Sequence, residues 1–372
     1  MLFALPGLHR VGRGAEVVFE SIAQEIASQG EHEVTLVGSG QARSDRAYKF
    51  VHLPAVSRDR FESWPKLPFL RHEFMYEELT FAWRLANLAA VAEADLTMTC
   101  SYPYTNWALR RAHSARHAAA HVFVTQNGDW PAFERRAEAR FFSCDGLICT
   151  NPIYYERNHA TWPSTLIPNG VDEARFRPGP QRKAEFGLPI DRPTILMVSA
   201  LDQGKRVIEA IHAIAQVPEA FMLVAGDGPL RDEVDRLAAE LLPHRFKRTT
   251  FQHEQMPDLY RSADLFLHTK IRESFGNVYI EALSSGLPIV AHDDEVTRWI
   301  LGGYAHLVDS TNRDLLATEI RDALRSPYPG TEAAAWAHAR YSWGVVAGQY
   351  LDFFKDVSER GASSRRRQSR VG

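Results

Sequence analysis

The sequence predicts an α/β protein built from two doubly wound parallel sheets, on three observations. Its 372 residues exceed what one ordinary hydrophobic core holds. Apolar runs of strand length alternate with segments of helical periodicity, and the alternation occurs twice. Between the two series, residues 162–192 are punctuated by Pro163, Pro168, Pro178, Pro180 and Pro189, with little periodicity, and read as a linker.

The first series opens with a strand at Leu2 to Leu5, a loop PGLHRVGRG, and a helix from Ala15 to Ser28 whose Val18, Ile22 and Ile26 recur every fourth residue. Strands follow at 34–37 and 48–53. A helix over 73–92 precedes a strand at 96–99, a helix over 107–118 precedes one at 122–125, and a helix over 131–142 precedes one at 146–150. The second series places strands at 194–199, 221–225, 246–251 and 264–268, with helices starting near Ile208, Leu230 and Met256. In such sheets ligands sit beyond the carboxyl ends of the strands, and two domains imply a cleft.

The stretch from His268 to Asp294 carries the most chemistry. A strand end leads into a polar loop with Lys270, Arg272 and Glu273. A helix then runs from Gly276 to Gly286, and a strand resumes at Leu287. On that apolar helix Asn277, Glu281, Ser284 and Ser285 form one polar stripe. Facing solvent, the stripe is only a surface. Facing a cleft, the helix N-terminus offers N–H groups to an anion and Glu281 accepts from hydroxyls. Lys205, before another helix, favours phosphate in the same way, or is simply solvated.

Composition limits the alternatives. With 43 basic against 46 acidic residues, the net charge of −3 leaves no excess to neutralise a nucleic acid. Cys100, Cys144 and Cys149 lack metal-ligand spacing and read as reduced thiols of a cytoplasmic protein. No apolar run approaches the ~20 residues that span a bilayer, and the N-terminus lacks the pattern of a secretory signal. His113, His117 and His121 repeat every fourth residue, but no acidic ligand is in register, so no metal site is expected. The aromatic segment from Phe61 to Trp83 suits ordinary packing or a peripheral membrane contact, and the basic tail 359–372 reads as disordered. The oligomeric state is left open.

In order along the chain stand Gly14-Ala15-Glu16, Asn169-Gly170-Val171-Asp172 with Phe176, Gly226-Asp227-Gly228-Pro229, Ala263-Asp264, Glu273-Ser-Phe-Gly-Asn-Val-Tyr-Ile-Glu281 with Ala282, Gly286 and Pro288, and Ser342-Trp343. The chain thereby resembles the retaining glycosyltransferases of family 4, with the two-domain GT-B fold. The resemblance implies an acceptor-binding domain over 1–170, a donor-binding domain over 171–342 and a helix at 343–358 packed back on the first. It implies transfer from a nucleotide-diphosphate sugar, as co-substrate and without cofactor or metal, to a hydroxyl of a glycan, lipid-linked or small-molecule acceptor.

Carried over by residue, Lys205 neutralises the donor diphosphate and the N–H groups of Ser274, Phe275, Gly276, Asn277 and Val278 hold its distal phosphate. Glu281 takes the ribose and Glu273 the donor sugar, with Gly14 and Gly226 on the donor side. Gly12, Arg13, Asn127, Asp129 and Trp130 fall on the acceptor side. Two positions depart from the family: Ala200 stands where an arginine is common, leaving Arg206 as a candidate substitute, and Asn127 stands where a histidine is common. A GT-B sugar-nucleotide epimerase and a non-catalytic GT-B binding protein are the alternatives.

Overall fold

A computed structural model describes residues 1–113, 119–134 and 137–368. The chain divides into two compact units, 1–169 with 343–372, and 170–342.

In the first unit the elements are β1 (Leu2–Ala4), α1 (Gly14–Ser28), β2 (Thr35–Gly38), β3 (Lys49–His52), α2 (Glu73–Leu85), α3 (Ala89–Glu93), β4 (Leu96–Thr99), α4 (Tyr104–His113), β5 (Ala120–Val124), α5 (Trp130–Phe133), β6 (Gly146–Cys149), α6 (Pro152–Asn158) and β7 (Ser164–Leu166). The strands form a parallel sheet in the order β3-β2-β1-β4-β5-β6-β7. Strands β4, β5 and β6 are buried along their whole length, as central strands of a parallel sheet covered on both faces are. One face is covered by Val18, Phe19, Ile22 and Ile26 of α1 together with Val346, Tyr350, Phe353 and Val357 of the last helix, Trp343–Gln368. Gly146 permits that helix to approach, because a Cβ there would lie 2.6 Å from Val357 Cγ2.

The structure revises several expected elements. The helix over 73–92 is broken after Leu85: Asn87 turns its side chain back onto the Trp83 carbonyl, and Leu88 is extended. The helix over 131–142 stops at Phe133, since Phe142 is drawn into an aromatic cluster with Tyr102, Phe123 and Trp162. The stretch read as a linker contains the edge strand β7, too short to show a period. The last helix extends to Gln368 rather than 358, so the basic tail is helical backbone up to that point, and 369–372 fall outside the described residues.

The second unit holds β8 (Thr194–Val198), α7 (Val207–Ala215), β9 (Phe221–Ala225), α8 (Arg231–Leu241), β10 (Phe246–Thr249), α9 (Met256–Arg261), β11 (Leu265–His268), α10 (Asn277–Ser284), β12 (Ile289–His292), α11 (Glu295–Leu301), β13 (His306–Val308), α12 (Arg313–Arg325) and α13 (Gly330–Tyr341). Its parallel sheet runs β10-β9-β8-β11-β12-β13. Strand order reverses between β8 and β11 here, and between β1 and β4 in the first unit. Ligands favour the carboxyl edge at such points. The loops leaving β8 and β11 carry Lys205 and Glu273.

Candidate functional site

The loop after β8 is shaped by its own backbone. Ser199 N donates to Ala225 O and Leu201 N to Asp227 O, while Asp202 accepts from Lys205 N at 3.1 Å. Gly226 lies against this loop so closely that a Cβ would stand 1.8 Å from Ser199 O, and one on Gly228 would stand 2.6 Å from Leu201 O. The Gly226-Asp227-Gly228-Pro229 turn therefore clamps the loop that presents Lys205. Arg206 takes a left-handed conformation at the start of α7 and points its guanidinium at Ser310 O (3.4 Å) and Glu209 (3.6 Å). It does not join Lys205.

The loop after β11 meets this one. Buried Thr269 places Oγ1 3.1 Å from the Lys205 carbonyl and 3.0 Å from that of Arg206. Glu273, 8% exposed, accepts from Lys205 Nζ at 3.1 Å on Oε2 and from Lys270 Nζ at 2.7 Å on Oε1. His268 Nε2 lies 3.3 Å from Oε2, and Ser274 N donates to Oε1 at 3.1 Å. Burial alone would raise the Glu273 carboxyl, yet the His268 hydrogen bond and the charges of Lys205 and Lys270 hold it well below the usual carboxylate range. Burial lowers His268, which stays neutral and donates as the Nε2–H tautomer.

Next comes α10, capped by no side chain and preceded by Gly276 at φ +80°. A Cβ on Gly276 would lie 2.7 Å from Tyr279 Cδ2 and 2.9 Å from Glu273 Cγ, so only glycine fits this approach to the helix N-terminus. Phe275 is core, packed on Trp299 and Tyr341, and Asn277 and Val278 are half-buried. Of the polar stripe, Ser284 and Ser285 are buried, whereas Glu281 is half-buried and accepts from Tyr260 Oη of α9 at 2.8 Å. Burial raises the Glu281 carboxyl, against the Tyr260 hydrogen bond and the charge of Arg175.

The first unit places its residues differently. Gly12, Arg13 and Gly14 are exposed where the β1 loop enters α1. The tight glycine of that loop is Gly7, where a Cβ would lie 2.0 Å from Glu16 Oε1. Asn127 follows β5, exposed, with Nδ2 3.7 Å from Cys100 Sγ. Asp129 is 3% exposed and turned inward: Arg157 pairs with Oδ1 at 3.2 Å and Asn158 donates to Oδ2 at 2.8 Å. Trp130 packs edge-on against Tyr102. His121 sits in the core, its ring nitrogens 2.8 Å from Thr97 Oγ1 and 2.9 Å from Asn106 Nδ2, while His117 lies outside the described residues.

Comparison with known proteins decides the family. Residues 12–175 match the model described as Glycosyltransferase Family 4, and residues 180–343 the model described as Glycosyl transferases group 1. The chain belongs to glycosyltransferase family 4. Among relatives of this glycosyltransferase, the phosphatidyl-myo-inositol mannosyltransferase of Mycolicibacterium smegmatis is 30% identical over 208 residues, 52% of each chain, so the match spans about half of that enzyme. The lipopolysaccharide core biosynthesis glycosyltransferase LpsE of Rhizobium meliloti is 24% identical over 347 residues, 91% of this chain and 94% of that one. Solved structures establish the GT-B fold. Sucrose-phosphate synthase from Thermosynechococcus elongatus aligns over 96% of this chain and 98% of its own, with a TM-score of 0.75 at 19% identity. HepE from Anabaena, in complex with UDP and glucose, aligns over 95% and 98% with a TM-score of 0.74, also at 19% identity.

Three residues of the candidate site were given no role by the sequence reading: Lys270 on Glu273, His268 beneath it, and Tyr260 on Glu281. Only His268, a polar residue ending an apolar strand, left a local trace. Among the described residues no helix is long and apolar enough to cross a membrane.

Proposed function

We propose that the protein is a retaining, metal-independent glycosyltransferase that moves a sugar from a nucleotide-diphosphate donor to a hydroxyl of a glycan or lipid-linked acceptor. The observation that carries this reading is the meeting of Lys205, Glu273 and the uncapped N-terminus of α10 at the switch point of the second sheet. Lys205 and the helix end supply positive charge for a leaving diphosphate, where the transition state needs it most. Glu281, oriented by Tyr260, accepts from the ribose hydroxyls. Glu273 contacts the sugar. The bond from the anomeric carbon to the distal phosphate oxygen breaks with its electron pair going to that phosphate. The acceptor oxygen bonds to the same face, and its proton passes to the departing phosphate. Asn127, which cannot act as a base, fits a reaction whose base is the leaving group.

The relatives' names favour the acceptor class, since they include a GDP-mannose-dependent phosphatidylinositol monomannoside mannosyltransferase and two lipopolysaccharide core enzymes. A cytoplasmic protein peripheral at the inner face of the membrane suits such acceptors, and Trp64, Leu67 and Trp83 expose apolar surface on the first unit.

The test is a thermal-shift panel of nucleotides and nucleotide sugars, followed by product analysis with the donor that binds. One nucleoside diphosphate raises the melting temperature, Lys205→Ala and Glu281→Ala abolish the rise, and the transferred sugar keeps its anomeric configuration. A protein that neither binds nor consumes any nucleotide sugar would sink the reading. Inversion at the anomeric carbon would remove the retaining mechanism, and isomerisation of the donor without transfer would indicate an epimerase.

A further inference from the structure

We propose that Lys270 is the second cationic anchor of the donor diphosphate, taking the place left without a cation at Ala200. The inference rests on the donor-site reading above.

The argument is one of charge and scaffold. Lys205 by itself does not make an anion site, because its ammonium is 3.1 Å from the Glu273 carboxylate and the two charges cancel. Lys270 lies 2.7 Å from the other oxygen of the same carboxylate. Two ammonium groups and one carboxylate leave a net positive site, with His268 neutral below them. A nucleotide diphosphate brings a negative charge on each phosphate, and its distal phosphate gains another as the sugar leaves. One uncompensated cation in a half-buried setting answers that demand, and neutrality does not.

The backbone is built to hold this pair. Thr269, the residue before Lys270, sits with Oγ1 against the carbonyls of Lys205 and Arg206, and its own carbonyl accepts from Ser310 Oγ at 3.3 Å. The two lysine-bearing loops are thus tied together one residue from each ammonium stem. Both lysine side chains remain about a quarter exposed. Two alternatives fall away. Arg206 faces Ser310 and Glu209, and Ala200 carries no charge. When a diphosphate enters, its oxygens replace Glu273 as the partner of both lysines, and Glu273 is released toward the sugar.

The test is calorimetric titration of the full chain with whichever of UDP, GDP or ADP binds, and with the matching nucleoside. Lys270→Met weakens the diphosphate about tenfold or more, leaves nucleoside affinity unchanged, and is rescued by Lys270→Arg. The loss persists in a Glu273→Gln background, because the lysine meets the phosphate directly. If the wild-type protein binds no diphosphate, the donor-site reading falls and this one with it. If Lys205→Met weakens the diphosphate while Lys270→Met stays within about twofold, the donor site stands and the Lys270 assignment is overturned. Disappearance of the Lys270→Met effect in the Glu273→Gln background also overturns it, since the lysine would then only position that carboxylate. Melting of each unliganded variant confirms folding.

Discussion

Glu273 and Glu78 are both buried glutamates near the switch point of a parallel sheet, one in each unit, and their surroundings push them in opposite directions. Glu273 meets Lys205, Lys270 and His268, and is held well below the usual carboxylate range despite its burial. Among the described residues, Glu78 of α2 meets no cation. Its Oε1 accepts from Thr105 N at 2.9 Å, capping α4, while Oε2 has no partner, and burial pushes the carboxyl up to about 7. Its neighbour Glu77 is the one that pairs with arginines, Arg10 and Arg58. Buried Asn106 Oδ1 nearby has no partner among the described residues. The contrast teaches what each edge is suited to hold. A site for a diphosphate collects cations around an ionised carboxylate, and an edge without that task can keep its acid near neutrality.

The hardest test of the contrast is removal of the charge itself. Lys205→Met is expected to lower kcat/KM by about 10²–10³, the loss of roughly 3–4 kcal/mol typical for a group that meets developing charge. Steady-state kinetics with the identified donor measures it, and a drop of less than about tenfold would mean that the cluster only shapes the loop.

Glu78 supplies the converse in pH. Its folded pKa of about 7 lies above the ordinary value of 4.5 that it has in an unfolded chain, so the folded state binds this proton more tightly. Its contribution is therefore fully present below about pH 4.5 and is lost as pH rises through about 7. The loss amounts to roughly 3 kcal/mol at most. Glu273 runs the other way, with stability present above the unfolded value and lost only as pH falls below it. Glu78→Gln should flatten the decline in melting temperature between pH 5 and pH 8. An unchanged slope in that variant would show that another group titrates.

How far this was legible in the sequence follows from distance along the chain. Glu273 and Glu281 belong to one local pattern around a helix start, and Lys205 precedes another helix, so residue types and spacing sufficed. Lys270 looks like any lysine in a polar loop until the turn of that loop sets it on Glu273 three residues on, while the register of β11 beside β8 brings Lys205 to the same carboxylate. Nothing local marks Glu77 and Glu78 as buried; their partners Arg10, Arg58 and Thr105 come from other segments of the chain. The inward turn of Asp129 was not legible, because its partners Arg157 and Asn158 sit on a helix almost thirty residues further on.

A smaller change tests the shape of the second unit's edge rather than its charge. Gly276→Ala forces a side chain into φ +80° and against Tyr279. The strain, about 1–3 kcal/mol, should appear as weaker diphosphate binding with nucleoside binding retained. Equal losses for both ligands would mean that the helix itself has shifted.

The smallest expected effect refines the comparison, because Glu281 lies in the charged unit yet resembles Glu78. Its carboxyl is raised by burial, and it accepts from a neutral hydroxyl, that of fully buried Tyr260. On the donor-site reading proposed above, the dividing line is the ligand group rather than the unit: a phosphate calls for cations, whereas a ribose hydroxyl calls for an oriented acceptor. Tyr260→Phe removes only the orienting hydrogen bond and leaves the packing against Phe176 and Phe266 in place. The cost should be about 1 kcal/mol, read as a severalfold rise in the donor KM with kcat unchanged, since the ribose contact is made equally in the ground and transition states. A 2′-deoxyribose donor should already lack part of that contact, so Tyr260→Phe should cost it less. An equal penalty on both donors would move Glu281 off the ribose and return the polar face of α10 to a structural role.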